Sequence, residues 1–167
     1  QAAADGAFNG QLDARGVTLA GRRLNDVRAG LQGRRNAHAL SLDARLPDWH
    51  VTARLAGGLD AQQTWRGQLT EAGVQGPWPV QLTAPAALVL SRERQQVNQL
   101  VLAVAGGRVA IEQFSREGVR LASRGALDNL PAEPLMTLLA SPPFTTDLRV
   151  QGSWNLRMGE ALDGEVR

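Results

Sequence analysis

The chain has 167 residues, enough for one ordinary domain burying roughly two-thirds of its unfolded surface. Its 18 basic residues, every one of them Arg, are nearly balanced by 16 acidic ones; the calculated pI of about 10.8 is therefore no electrostatic footprint for nucleic acid. The absence of Cys excludes disulfides, thiolate metal sites and a cysteine nucleophile, and no apolar run reaches the length of a membrane-spanning helix.

Side chains of a β-strand alternate between two faces, so apolar residues recurring at every second position mark a half-buried strand. That pattern first gathers Phe8, Gly10, Leu12 and Ala14, then Val27, Ala29, Leu31 and Gly33. Next, His38, Leu40, Leu42, Ala44 and Leu46 stand opposite Ala39, Ser41, Asp43 and Arg45, and beyond Pro47 come Val51, Ala53, Leu55, Gly57 and Leu59. Trp65, Gly67 and Leu69 follow, then Val80, Leu82 and Ala84, then Leu88 and Leu90. The remaining sets are Leu100, Leu102 and Val104; Val109 and Ile111; Val119, Leu121, Ser123, Gly125 and Leu127; and Leu148, Val150, Gly152, Trp154 and Leu156. The expected fold is all-β, with about a dozen strands.

Short connections point to an antiparallel meander. Ala105-Gly106-Gly107-Arg108 has the glycines of a hairpin, Ala56-Gly57-Gly58 reads as a bulge or turn, and Arg116-Glu117-Gly118 separates Phe114 from Val119. Against the strand pattern, Pro131 and Pro134 open a short helix near 131–141 with Leu135, Leu138 and Leu139 on one side, closed by Pro142-Pro143. The motif apolar-polar-Gly-polar-apolar recurs in FNGQL, WRGQL and VQGSW, and Gly at an inward position leaves room or lets a long sheet coil. Both ends fall within the pattern, so residues 1–167 read as a single segment of something longer, without separate domains.

Catalytic constellations are thin. His38 and His50, the only histidines, have no partner at metal-ligand spacing, and G-x-S-x-G, Walker A and H-E-x-x-H motifs are absent. The carboxylate pairs Asp60 with Glu71 and Glu160 with Asp163 flank turns, as do Arg22-Arg23, Arg34-Arg35 and Arg92-Glu93-Arg94. Solvation and edge protection account for these charges, with contact to lipid phosphates as the functional competitor. The expectation is a non-enzymatic protein with no cofactor, no metal and no nucleic-acid partner. Its long apolar face can close into a sandwich or barrel, or stay available in an open trough.

From about residue 50, the order WRGQL, GPWPVQLTAPAALVLS, GGRVAIE, SRGALDNLPAEPL and DLRVQGSWNL, followed by LDGEVR, resembles the TamB family, within the AsmA-like group of bridge proteins. The resemblance implies a middle or C-terminal-half segment of a long curled antiparallel sheet, a β-taco with a hydrophobic groove. It further implies a periplasmic position in an inner-membrane-anchored protein of a Gram-negative bacterium. The implied work is movement of phospholipid between the two membranes and support of outer-membrane biogenesis, including protein and autotransporter assembly, with the barrel TamA as a partner through other parts of the protein. Phospholipid acyl chains would then contact Phe8, Leu12, Val27, Leu31, Leu40, Leu42, Leu46, Val51, Leu55, Leu59, Leu69, Val80, Leu82, Leu100, Leu102, Val104, Val109, Ile111, Val119, Leu121, Leu127, Leu148, Val150, Trp154 and Leu156. The short helix would lie over the groove as a plug. The competing expectation is a β-sandwich or solenoid interaction module of an envelope or secreted protein.

Overall fold

The computed structural model describes residues 6–19, 22–133, 147–159 and 162–166. Within them run β1 (Phe8–Leu19), β2 (Arg22–Arg34), β3 (Ala37–Arg45), β4 (His50–Leu59), β5 (Trp65–Gln75), β6 (Val80–Leu82), β7 (Ala86–Leu90), β8 (Arg94–Val104), β9 (Gly107–Glu117), β10 (Arg120–Pro131), β11 (Arg149–Met158) and β12 (Leu162–Val166). All pair antiparallel in one sheet, each with its neighbour in sequence, except that β6 and β7 share the space between β5 and β8. They form one interrupted strand. Pro85 has no N–H to give a ladder, while the amide and hydroxyl of Thr83 both donate to the Val101 carbonyl, at 3.0 and 3.1 Å.

Tight turns make the meander possible. At the β8–β9 turn Ala105 and Gly106 have φ of 47° and 83°, the pair of positive values whose twist matches the flanking strands. Asp60 closes the β4–β5 turn by accepting from the amides of Gln62 and Thr64 at 3.0 and 2.9 Å. Gly57 and Gly58, in contrast, lie inside β4 and make no turn.

Directly opposed residues of an antiparallel pair share a face, so the register fixes the sidedness of the whole sheet. One row crosses it as Phe8, Gly33, His38, Gly57, Gly67, Leu88, Val97, Phe114, Ser123, Leu156 and Gly164. Every second row repeats this apolar character. The alternate rows carry charge, and there Arg15–Asp26, Arg28–Asp13, Arg54–Glu71 and Arg94–Glu117 stand opposite each other as exposed ion pairs at 2.9 to 3.5 Å. Such pairs contribute at most about 1 kcal/mol each, and they mainly keep that face wet.

Register shifts occur in the middle of the sheet. Thr70 is an extra residue on β5 against Arg54 and Leu55, and Glu112 is an extra residue on β9 against Arg124 and Gly125. Gln99 on β8 takes φ 57°, opposite the same point of β9. With the 83–85 interruption, these irregularities lie side by side across β5 to β9. Bulges bend a strand and raise its twist, so the row forms a crease in one long curled sheet. By contrast, β2, β3 and β4 pair without a shift.

No second layer covers the sheet among the described residues: strands in substantial contact are its hydrogen-bonded neighbours. The accessible surface is 11815 Å², where a compact chain of this mass would expose about 8,000 Å². That single meander corrects the sandwich expectation, which needs a second sheet, and the solenoid, which needs parallel coils. The short helix expected near 131–141 falls largely on residues 134–146, outside the described residues; Pro131 ends β10, and Ala132 and Glu133 are helical.

Candidate functional site

The apolar rows form the largest chemically uniform feature of the molecule. Of the residues singled out by alternation, Phe8, Leu12, Val27, Leu31, Leu40, Leu42, Val51, Leu55, Leu59, Leu69, Val80, Leu82, Leu100, Leu102, Val104, Val109, Ile111, Leu121, Leu127, Val150, Trp154 and Leu156 all share this face by register. Three do not lie on a strand. Leu46 follows β3, Val119 sits in the β9–β10 turn with 83% of its surface exposed, and Leu148 precedes β11, where its carbonyl accepts from Ala132. Ala84, whose parity matched Leu82, falls in the interruption between β6 and β7.

Ala72, Val74, Leu88, Val97, Phe114 and Leu130 join the face unforeseen in the groove set. Thr70 and Glu71 are consecutive polar residues, as are Asn98-Gln99, Glu112-Gln113 and Asp128-Asn129. Each pair marks the place where the ladder slips by one residue and the apolar parity switches from odd to even or back. The doublets were the readable signal.

Two tryptophans pave the face over glycine. The Trp65 ring covers Gly57 and Gly67, leaving only 2.6 and 2.5 Å to where a Cβ would stand, and Trp154 likewise covers Gly125. This fills the gap that a glycine leaves in a sheet. Trp65 Nε1–H then reaches across to His38 Nε2 at 2.8 Å, and Trp154 Nε1–H reaches Ser123 Oγ at 2.9 Å. The His38 Nδ1–H donates to the carbonyls of Arg34 and Arg35 at 3.1 and 3.2 Å, which leaves Nε2 as the acceptor. Phe8 leans on the same imidazole at 5.9 Å. His38 thus belongs to the paving of the face.

This face is only half-covered. Trp65, Leu82, Ala86 and Leu130 are buried on it, but among the described residues no large side chain is fully enclosed, and Leu12, Leu42 and Leu90 keep 61, 38 and 39% of their surface. The surface hollows lie chiefly on the opposite side. One of about 430 Å³ is lined by His50, Thr52, Glu71 and Gln81, and another of about 340 Å³ by Asp13, Arg28, Asp43 and Arg54. Their linings mix ion-paired and polar side chains with small apolar ones, and so form no continuous apolar surface. In that region His50 Nε2 meets Asp43 Oδ2 at 2.8 Å, and this hydrogen bond holds the Asp43 carboxyl below its ordinary value, with the charges of His50, Arg45 and Arg28 helping and partial burial opposing. Among the described residues no cluster of three or more His, Asp or Glu gathers to hold a metal, and no helix is long and apolar enough to cross a membrane.

A family model described as TamB, N-terminal domain, matches residues 2–100, which run from β1 into β8. The match therefore includes the first fifty residues, outside the stretch whose motifs carry the sequence resemblance. No curated protein and no solved structure matches the chain.

Proposed function

The chain belongs to the TamB family, and on that footing we propose that its apolar face is one wall of a groove that carries phospholipid acyl chains between the inner and outer membranes of a Gram-negative envelope. One observation carries the reading: rows of Leu, Val, Ala and Ile continue in register across the sheet, and among the described residues no second sheet covers them. Holding an acyl chain of about 16 carbons in water costs on the order of 12 kcal/mol, at about 0.8 kcal/mol per CH₂. A continuous aliphatic surface offsets much of that cost along its length. Its side chains differ little from row to row, so no position need hold a chain much more tightly than the next, which is what conduction requires.

In this reading the segment sits in the periplasm as part of an inner-membrane-anchored protein. It supports outer-membrane biogenesis, and the barrel TamA is engaged by other parts of the protein. It performs no chemistry of its own and needs no cofactor. Native mass spectrometry of the protein released gently from bacterial membranes tests the central point. Phospholipid should remain bound at a level that falls when Leu42 and Leu102 are both changed to Asp; a folded wild-type protein that retains no lipid would contradict it.

A further inference from the structure

From β3 to β12, four polar side chains break the apolar face: His38, Gln95, Arg116 and Ser123. His38 and Ser123 are accounted for, because each accepts a tryptophan N–H. Gln95 and Arg116 stand directly opposite each other on β8 and β9, at the end of the strands near the β9–β10 turn. From β3 to β12, Arg116 is the one charged residue that the register places on this face.

Six arginines of the polar face are held in ion pairs. Arg15, Arg28, Arg54, Arg66, Arg94 and Arg124 each lie within 2.8 to 3.5 Å of a carboxylate. Arg116, on the apolar face, has no such partner among the described residues. Its Nε–H donates to the Gly118 carbonyl at 3.3 Å, which steadies the guanidinium, while the neighbouring Glu117 is taken up by Arg94 on the other face. No described residue takes up its terminal N–H donors. Solvation of a turn does not explain this placement, since Arg120 serves the same turn from the polar face. A cation beside Leu121 and Phe114, at one end of an aliphatic ladder, matches an amphiphile with an anion at one end.

We propose that Arg116, with the Gln95 amide beside it, takes the headgroup phosphate of a glycerophospholipid whose acyl chains lie on the adjoining apolar rows. The planar guanidinium presents two parallel N–H donors to phosphate oxygens, and the leucine and phenylalanine around it weaken competition from water. The assignment rests on the lipid-carrying reading above and adds to it a selection for anionic phosphate over neutral lipid.

Binding of acyl-labelled phosphatidylglycerol, and of diacylglycerol carrying the same chains, by the full-length protein separates the two ideas. Arg116→Gln should weaken phosphatidylglycerol about ten-fold and leave diacylglycerol within about two-fold. Arg116→Lys should recover part of the loss, and Arg120→Gln should alter neither probe. Equal weakening of both probes by Arg116→Gln, or no weakening of phosphatidylglycerol, overturns the assignment while leaving the groove intact. Failure of the wild-type protein to bind either probe overturns the groove reading and this one together.

Discussion

β2 to β4 and β5 to β10 solve the same problem in different ways. The first group keeps a strict alternation and an unbroken register, so its apolar set never changes parity. The second admits an extra residue on β5, β9 and β10, a left-handed residue on β8 and a gap at 83–85, yet its apolar residues stay on one face. What matters to this sheet is therefore the side on which carbon is shown, with strand straightness subordinate to it. The irregular strands turn the sheet while the regular ones extend it.

The sharpest way to break this comparison is to delete one residue from each region. Removing Ser41 from β3 brings Leu40 and Leu42 into sequence and sends Leu42 and Ala44 toward the polar face. The expected loss is about 3 kcal/mol or more, or failure to fold. Removing Thr70 from β5 leaves Leu69, Glu71 and Ala72 in simple alternation, and the mismatch falls on the neighbouring gap at 83–85, which already carries extra residues. A loss of about 1 kcal/mol is expected in urea unfolding. Equal losses would show that the crease is as intolerant as the regular strands.

A smaller effect tests what the regions share. Gly57 in the regular part and Gly125 in the creased part both lie beneath a tryptophan ring, whereas no atom approaches within 4 Å of the Cβ position at Gly10. Gly57→Ala and Gly125→Ala should each cost about 2 kcal/mol, and Gly10→Ala should stay within about 0.5 kcal/mol, read from thermal melts. A costly Gly10→Ala would mean that something covers β1 on its apolar side.

The smallest effect concerns protons. Asp43 in the regular region and Asp60 at its edge both have carboxyls held below their ordinary value of 3.8, the first chiefly by the His50 hydrogen bond and the second chiefly by the Thr64 amide. A depressed carboxylate stabilises the fold above its unfolded value, and that contribution is lost as pH falls through the folded one. The melting temperature should therefore drop as pH falls below about 4, and the drop should shrink in Asp43→Asn. A melting temperature that rises on acidification would contradict the assignment.

Strand type and sidedness were legible because alternation needs only a polar or apolar choice at each position, and Leu40, Leu42, Leu55 and Leu69 follow it without exception. Phe114 and Val97 were missed because parity was carried straight through Gln99 and Glu112, where the chain inserts a residue. Adjacent polar residues inside an alternating strand would have located both slips. The hydrogen bond from Trp65 over its glycines to His38 joins residues 27 positions apart, which no local pattern encodes. Arg116 escaped notice for the same reason: beside Glu117 it looks like part of a turn, and only the register reveals its face.

The central claim, that one face meets acyl chains and the other meets water, is tested most directly by a photo-crosslinking residue placed in the full-length protein in cells. At Leu42, Leu102, Leu121 and Phe114 it should capture phospholipid, and at Asp43, Arg45 and Gln113 it should not. Phe114 and Gln113 are the decisive pair, since they are adjacent in sequence and lie just past a slip in register. Capture at both, or at Gln113 alone, would contradict the account.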